Sequence, residues 1–156
     1  MPKQNLNPGM SKIKTKEIKI YWTPRDGLQD PRFAASSGQI TKLCRLLDSY
    51  GGDYLEIGFP ATNKETQKAI DELSGYSWKN VQPFIFGKCA VAQNAQKDKT
   101  FCSLLESAIS NVTIVVKGWA EHYMQQCNKE WEQNIEDALR SVKLLRESGK
   151  DKIFVD

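Results

Sequence analysis

The chain has 156 residues, 40% of them apolar, with 22 Lys+Arg against 19 Asp+Glu and a formal charge of +3. That suits one domain with a core of ordinary size, and a basic excess this small gives no footprint for nucleic acid. The longest apolar run, Val112 to Val116, is interrupted by Thr113 and falls far short of the roughly 20 residues that cross a bilayer, so no membrane segment is expected.

Residues 1–16 are rich in Lys, Asn, Gln, Pro and Gly and poor in large apolar groups, and they read as a flexible tail before a domain over 17–156. The tail lacks both the apolar core of a secretory signal and the arginines of a transit peptide, which leaves the cytoplasm as the expected location. Short apolar runs then recur at Ile18–Trp22, Tyr54–Phe59, Val81–Phe86, Val112–Val116 and Ile153–Val155. Each has strand length, β-branched or aromatic content, and apolar residues on both alternations, as in parallel strands covered on two faces.

Helical periods separate the runs. Ile40, Leu43, Leu47 and Tyr50 form one stripe, closed by Gly51-Gly52; Ala69, Ile70 and Leu73 form a second, stopped by Gly75. Phe101, Leu104, Leu105, Ala108 and Ile109 form a third. The fourth and longest carries Trp131, Ile135, Ala138, Val142 and Leu145, with Gly149 placed to cap it. Strand–helix alternation of this kind predicts right-handed βαβ units and a parallel α/β sheet of about five strands and four helices. A Rossmann-like domain and part of a (β/α)8 TIM barrel both fit, although a complete barrel needs about 250 residues. No GxGxxG and no P-loop follow a strand, which weakens the nucleotide-binding version.

Cys44, Cys89, Cys102 and Cys127 lie 45, 13 and 25 residues apart, without a CxxC pair or histidines at zinc-finger spacing. Free, mostly packed thiols are expected. Trp78, Trp119 and Trp131 read as packing groups. Thr23-Pro24-Arg25-Asp26-Gly27-Leu28-Gln29 begins where the first strand ends, on the side of a parallel sheet that receives ligands. There a carboxylate can hold a hard cation and a guanidinium can stabilise developing oxygen charge.

Arg25-Asp26-Gly27-Leu28-Gln29 resembles the first-strand motif of the metal-dependent TIM-barrel acyltransferases and lyases: the citramalate, isopropylmalate and homocitrate synthases and 3-hydroxy-3-methylglutaryl-CoA lyase. Asp53 to Pro60 is similar to the second-strand motif of the same group. Lys117-Gly118-Trp119-Ala120-Glu121-His122 is similar to a segment after strand four in citramalate synthase-like proteins, and the likeness runs from about Glu17 onward.

The resemblance implies condensation of a 2-oxo acid with acetyl-CoA, assisted by a divalent ion (Mg, Mn or Zn). Asp26 would be a metal ligand, Arg25 would stabilise the substrate oxygen, Gln29 would shape the substrate pocket, and Glu56 would hold Arg25. Lys117 and His122 carry the likeness without an assigned role. Two departures accompany it: Tyr21 stands where the family has an acidic residue, and the family's His-x-His pair on a later strand has no counterpart, since His122 is the one histidine. The expectation is therefore the N-terminal part of such a barrel, inactive alone and with weak or no metal binding. A superfamily lyase, favoured by the Pro24 to Gln29 spelling, and a non-catalytic half-barrel module are the alternatives. Open strand edges predict self-association or pairing with a complementary barrel fragment.

Overall fold

The computed structural model describes residues 17–28, 30, 32–90 and 95–156. The tail over 1–16 and Gln29 lie outside the described residues. Five strands form the sheet: β1 (Tyr21–Trp22), β2 (Tyr54–Gly58), β3 (Gln82–Lys88), β4 (Asn111–Val115) and β5 (Ile153–Val155). Between them run α1 (Pro24–Leu28), α2 (Ser37–Tyr50), α3 (Lys64–Ser74), a 3₁₀ turn (Ala95–Lys97) and α4 (Lys99–Glu106), then α5 (Ala120–Cys127) and α6 (Glu132–Glu147).

The strands are all parallel and stand in the order β1-β2-β3-β4-β5. A doubly wound sheet reverses its strand order part-way. This order never reverses, so the fold is part of a barrel and the Rossmann-like option falls away.

Local chemistry fixes the helix starts. Ser36 and Gln39 form a capping box on α2, while Asn63 and Asp98 accept backbone N–H groups at the starts of α3 and α4. Gly51 closes α2 with a φ of 89°, where a side chain would be strained. Leu55, Ile85, Val112 and Ile114 then pack with Ile40 and Cys44 of α2, Ile70 and Leu73 of α3, and Phe101 and Leu104 of α4.

The opposite, inner face is aromatic. Tyr21, Tyr54, Phe84 and Phe154 make mutual ring contacts with centroids 4.6 to 6.0 Å apart, joining side chains from β1, β2, β3 and β5.

Several expectations need correction. Only Tyr21 and Trp22 of the first run form strand, because Ile18 and Ile20 remain exposed. Two further helices, α1 and α5, follow β1 and β4. The fourth helical stripe holds in part: Leu145 is buried and Ala138 and Val142 pack against the core, but Ile135 is exposed and α6 also buries Asn134, Asp137 and Ser141. Hydrogen bonds account for Asn134 and Ser141, since Asn134 Nδ2 donates to the Lys117 carbonyl and the Ala90 N–H donates to Ser141 Oγ. Trp119 is exposed, so it is not a packing group. No disulfide joins the four cysteines; Cys44 and Cys89 are buried and Cys102 and Cys127 partly so.

Candidate functional site

At the C-terminal end of the sheet, α1 carries Arg25 over the barrel axis. Its Nε donates to Glu56 Oε1 at 2.5 Å, and Nη1 lies 2.8 Å from the Asp26 carboxylate. The guanidinium carbon rests 3.7 Å from the Phe86 ring centroid, a cation–π seat that fixes the plane of the group. Glu56, on β2, is 1% exposed. Its second oxygen accepts from the Tyr21 hydroxyl at 3.0 Å, and that hydroxyl lies 2.6 Å from Thr113 Oγ1 on β4. Three strands and α1 thus hold one guanidinium through a chain of hydrogen bonds, and β3 seats it on Phe86. Burial raises the Tyr21 phenol well above its ordinary range, so it stays protonated and remains a donor.

Register explains why these groups meet. Tyr21 faces Tyr54, Glu56 faces Phe84, and Phe86 faces Thr113 across neighbouring strands, so all of them project inward. Above them opens a cleft of about 440 Å³ lined by Thr23, Arg25, Asp26, Glu56, Thr113 and Phe154 among others. The one cation among the residues lining it is the half-buried Arg25, whose Nη2 has no partner among the described residues.

The expected pairing of Arg25 with Glu56 is present, with Asp26 beside it. Lys117 and His122 lie elsewhere. Lys117 lines a separate cavity beside α5 and α6, and His122 is exposed, with its ring 6.4 Å from Trp119. Sequence reasoning missed Tyr21, Phe86 and Thr113 as members of the site. The signal for Thr113 was there, as the one polar residue inside the apolar run Val112–Val116.

The residues present do not by themselves suit a divalent ion, which takes six or so oxygen ligands. Asp26 is 63% exposed at its side chain and already paired with Arg25. Among the described residues no three His, Cys, Asp or Glu side chains are grouped to hold a metal. Cys89 is no nucleophile in this setting, since burial pushes its thiol up to about 11. Among the described residues no helix is long and apolar enough to cross a membrane.

No family model matches the chain. Sequence comparison gives "(R)-citramalate synthase" of Sulfolobus acidocaldarius, 24% identical over 137 residues, covering 86% of this chain and 26% of that protein. It also gives "Probable 2-isopropylmalate synthase" of Methanosarcina acetivorans, 24% identical over 153 residues, covering 97% of this chain and 28% of the relative. The chain is homologous to these synthases. It spans about a quarter of the length of the curated relatives it matches. Among solved structures, an HMG-CoA lyase from Acinetobacter baumannii, in complex with coenzyme A and 3-methylmalate, superposes with a TM-score of 0.63 at 16% identity. That match covers 86% of this chain and 43% of the lyase and supports the barrel-type fold.

Proposed function

We propose that the chain supplies the 2-oxo acid-binding corner of a condensing acyltransferase of the citramalate or 2-isopropylmalate synthase kind, and that the corner alone does not condense the acid with acetyl-CoA. One observation carries this reading. Arg25 is held by Glu56 and Phe86 with a guanidinium edge toward a cleft at the ligand face of a parallel sheet. A planar guanidinium fixed in this way matches the carboxylate and keto oxygens of a 2-oxo acid and stabilises negative charge that builds on the keto oxygen. The Tyr21 hydroxyl keeps Glu56 oriented, so the cation is set in place before the substrate arrives.

Synthase is favoured over lyase because the synthase relatives cover most of the chain, whereas the lyase shares only the fold. Condensation also needs a group that removes a proton from the acetyl methyl and a further activator at the keto oxygen. Glu56 already accepts from Arg25 and Tyr21, so it is committed to holding the cation. Four cysteines without a disulfide suit work in a reducing compartment such as the cytoplasm.

The test is an NMR titration of the chain with pyruvate and with 2-oxoisovalerate, beside an assay of thiol release from acetyl-CoA. Saturable oxo-acid binding is expected, weakened about tenfold or more in Arg25→Gln, the size of one charge-assisted contact. Thiol release is expected to stay at the blank level. Binding indifferent to Arg25→Gln overturns the assignment of the corner. Thiol release that Asp26→Ala abolishes overturns the claim that the corner alone is insufficient.

A further inference from the structure

Helix α6 turns Asn134, Asp137, Ser141 and Leu145 inward, and Val142 packs half-buried on the flank of that face. Further round the same flank stand Ile135, 58% exposed, and Leu139, 66% exposed, one turn apart. At 3.6 residues per turn, Glu132, Ile135, Leu139, Lys143 and Arg146 fall in one stripe about 80° wide, with Glu136 at its margin. All of these residues are exposed. A single exposed leucine is ordinary, whereas two large apolar groups on one stripe leave a continuous strip of helix uncovered.

The stripe is also sorted by charge. Glu132 and Glu136 stand in its first half and Lys143 and Arg146 in its second, with Leu139 at the midpoint. Among the described residues neither acid has an ion-pair partner within 4.0 Å. Lys143 meets Glu147 at 3.8 Å, with both side chains more than half exposed. Arg146 Nη1 donates to the carbonyls of Lys150 and Asp151, which fixes the guanidinium at the helix end and leaves its charge uncancelled.

This pattern maps onto itself after a half-turn about an axis through Leu139. In an antiparallel copy Leu139 meets its own counterpart, and Glu132, roughly two turns before it, lies opposite Arg146, roughly two turns after it. Glu136 then comes within about one residue's rise of Lys143. A parallel copy would set acid on acid and base on base, so charge selects the antiparallel arrangement.

We propose that this stripe of α6 is a self-association surface, on which a second copy of the chain packs its own α6 antiparallel, Leu139 against Leu139, with Glu132 paired to Arg146 at both ends. Such a contact is isologous and closes at two copies, unlike pairing of strand edges, which can continue. It is one helix wide, well under the roughly 1,600 Å² of a standard interface, so half-dimerisation on the order of 100 µM is expected. No residue of α6 lines the cleft at Arg25, so the surface stands independently of the oxo-acid proposal.

The test is sedimentation velocity of the full chain carrying Val155→Lys, which keeps the β5 edge from competing, from micromolar to near-millimolar concentration. A monomer–dimer equilibrium is expected, with Leu139→Glu raising its midpoint about tenfold or more. Glu136→Lys and Lys143→Glu should each weaken pairing several-fold, and the two together should restore it, because the exchanged charges meet again across the axis. These side chains are exposed, so the thermal unfolding midpoint of the dilute monomer should stay with that of the parent. Under oxidation, Leu139→Cys should link two chains faster than either the parent or Glu132→Cys, since only position 139 lies on the axis. A monomer at every concentration, a dimer indifferent to Leu139→Glu, additive losses in the double charge variant, or self-linking of Glu132→Cys as fast as that of Leu139→Cys each overturns the proposal.

Discussion

Glu56 is the residue whose removal should be felt most at the candidate site. Its carboxylate is buried against Arg25, whose side chain is 13% exposed, and it also takes the Tyr21 hydroxyl. Glu56→Ala would strand a nearly buried guanidinium and a phenol. A loss of about 1 to 3 kcal/mol is expected, measured by urea unfolding, because two donors lose their buried acceptor while Asp26 still balances part of the guanidinium charge. Asp48 poses a different residue-scale question, since it is a structural carboxylate. Burial alone would raise its pKa, but the backbone N–H groups of Asn80, Lys79 and Val81 and the Tyr76 hydroxyl outweigh burial and hold it below the ordinary carboxylate range. With the folded pKa lowered, the stabilisation is full above about pH 4 and is lost as pH falls through the folded value. Asp48→Asn should therefore be destabilised at pH 7 by about 1 to 3 kcal/mol, with a gap to the parent that narrows toward pH 3. A gap independent of pH would contradict this account. Arg25 and Asp26 were legible in the sequence because a short polar motif follows an apolar strand, whereas Glu56 was singled out by the resemblance of the second-strand motif. Tyr21 and Thr113 were not, because their roles depend on which strands become neighbours.

At the scale of elements, tight backbone approach governs the seam between β3 and α4. A Cβ added at Gly87 would lie 2.4 Å from Leu104 Cδ1, and Leu104 is fully buried in the core. Gly87→Ala should cost about 1 to 3 kcal/mol by overpacking. Trimming the opposing side chain in Gly87→Ala/Leu104→Val should recover part of that loss, and simple additivity in thermal unfolding would argue against a direct clash. Strand positions were readable to within a few residues, since four of the five apolar runs became ladders of similar extent. The face of α6 was readable in part. Apolar periodicity pointed correctly to Ala138, Val142 and Leu145 and wrongly to Ile135, and it missed Asn134 and Ser141, which turned inward to partners beyond the strand ends, and Asp137, which meets Tyr123, Lys129 and Arg140. Helix periodicity reports a core face only when the opposing surface is apolar, and here part of that surface is the polar rim of the sheet. The short α1 escaped for another reason: its five residues, Pro24–Leu28, include Gly27 and bury none, too little for any periodic signal.

Among the described residues the sheet ends in two edge strands, since β1 pairs only with β2 and β5 only with β4. Unpaired backbone groups on an edge strand template further pairing. The inner face contributes less to association than an unfilled half-barrel would, because Tyr21, Tyr54, Phe84 and Phe154 already occupy it and Phe84 is fully buried. The exposed apolar groups lie instead around the edges and on the helical surface: Ile18 and Ile20 precede β1, Val155 stands on β5, and Ile135 and Leu139 share one side of α6. At about 25 cal/mol per Å², covering even 300 Å² of such surface is worth roughly 7 kcal/mol before the entropic costs of association, which are of similar size. Those two magnitudes nearly cancel, so the strand edges decide the outcome. Added backbone ladder bonds tip the balance toward contact, and self-association or capture of a complementary barrel segment at micromolar concentration is expected. Light scattering should show a mass that rises with concentration, and Val155→Lys, which places a charge on the β5 edge, should lower it toward the monomer. A constant monomer mass over the whole range would mean that the aromatic interior and the short edges close the half-barrel unaided, with β1 at two residues too brief to serve as a template.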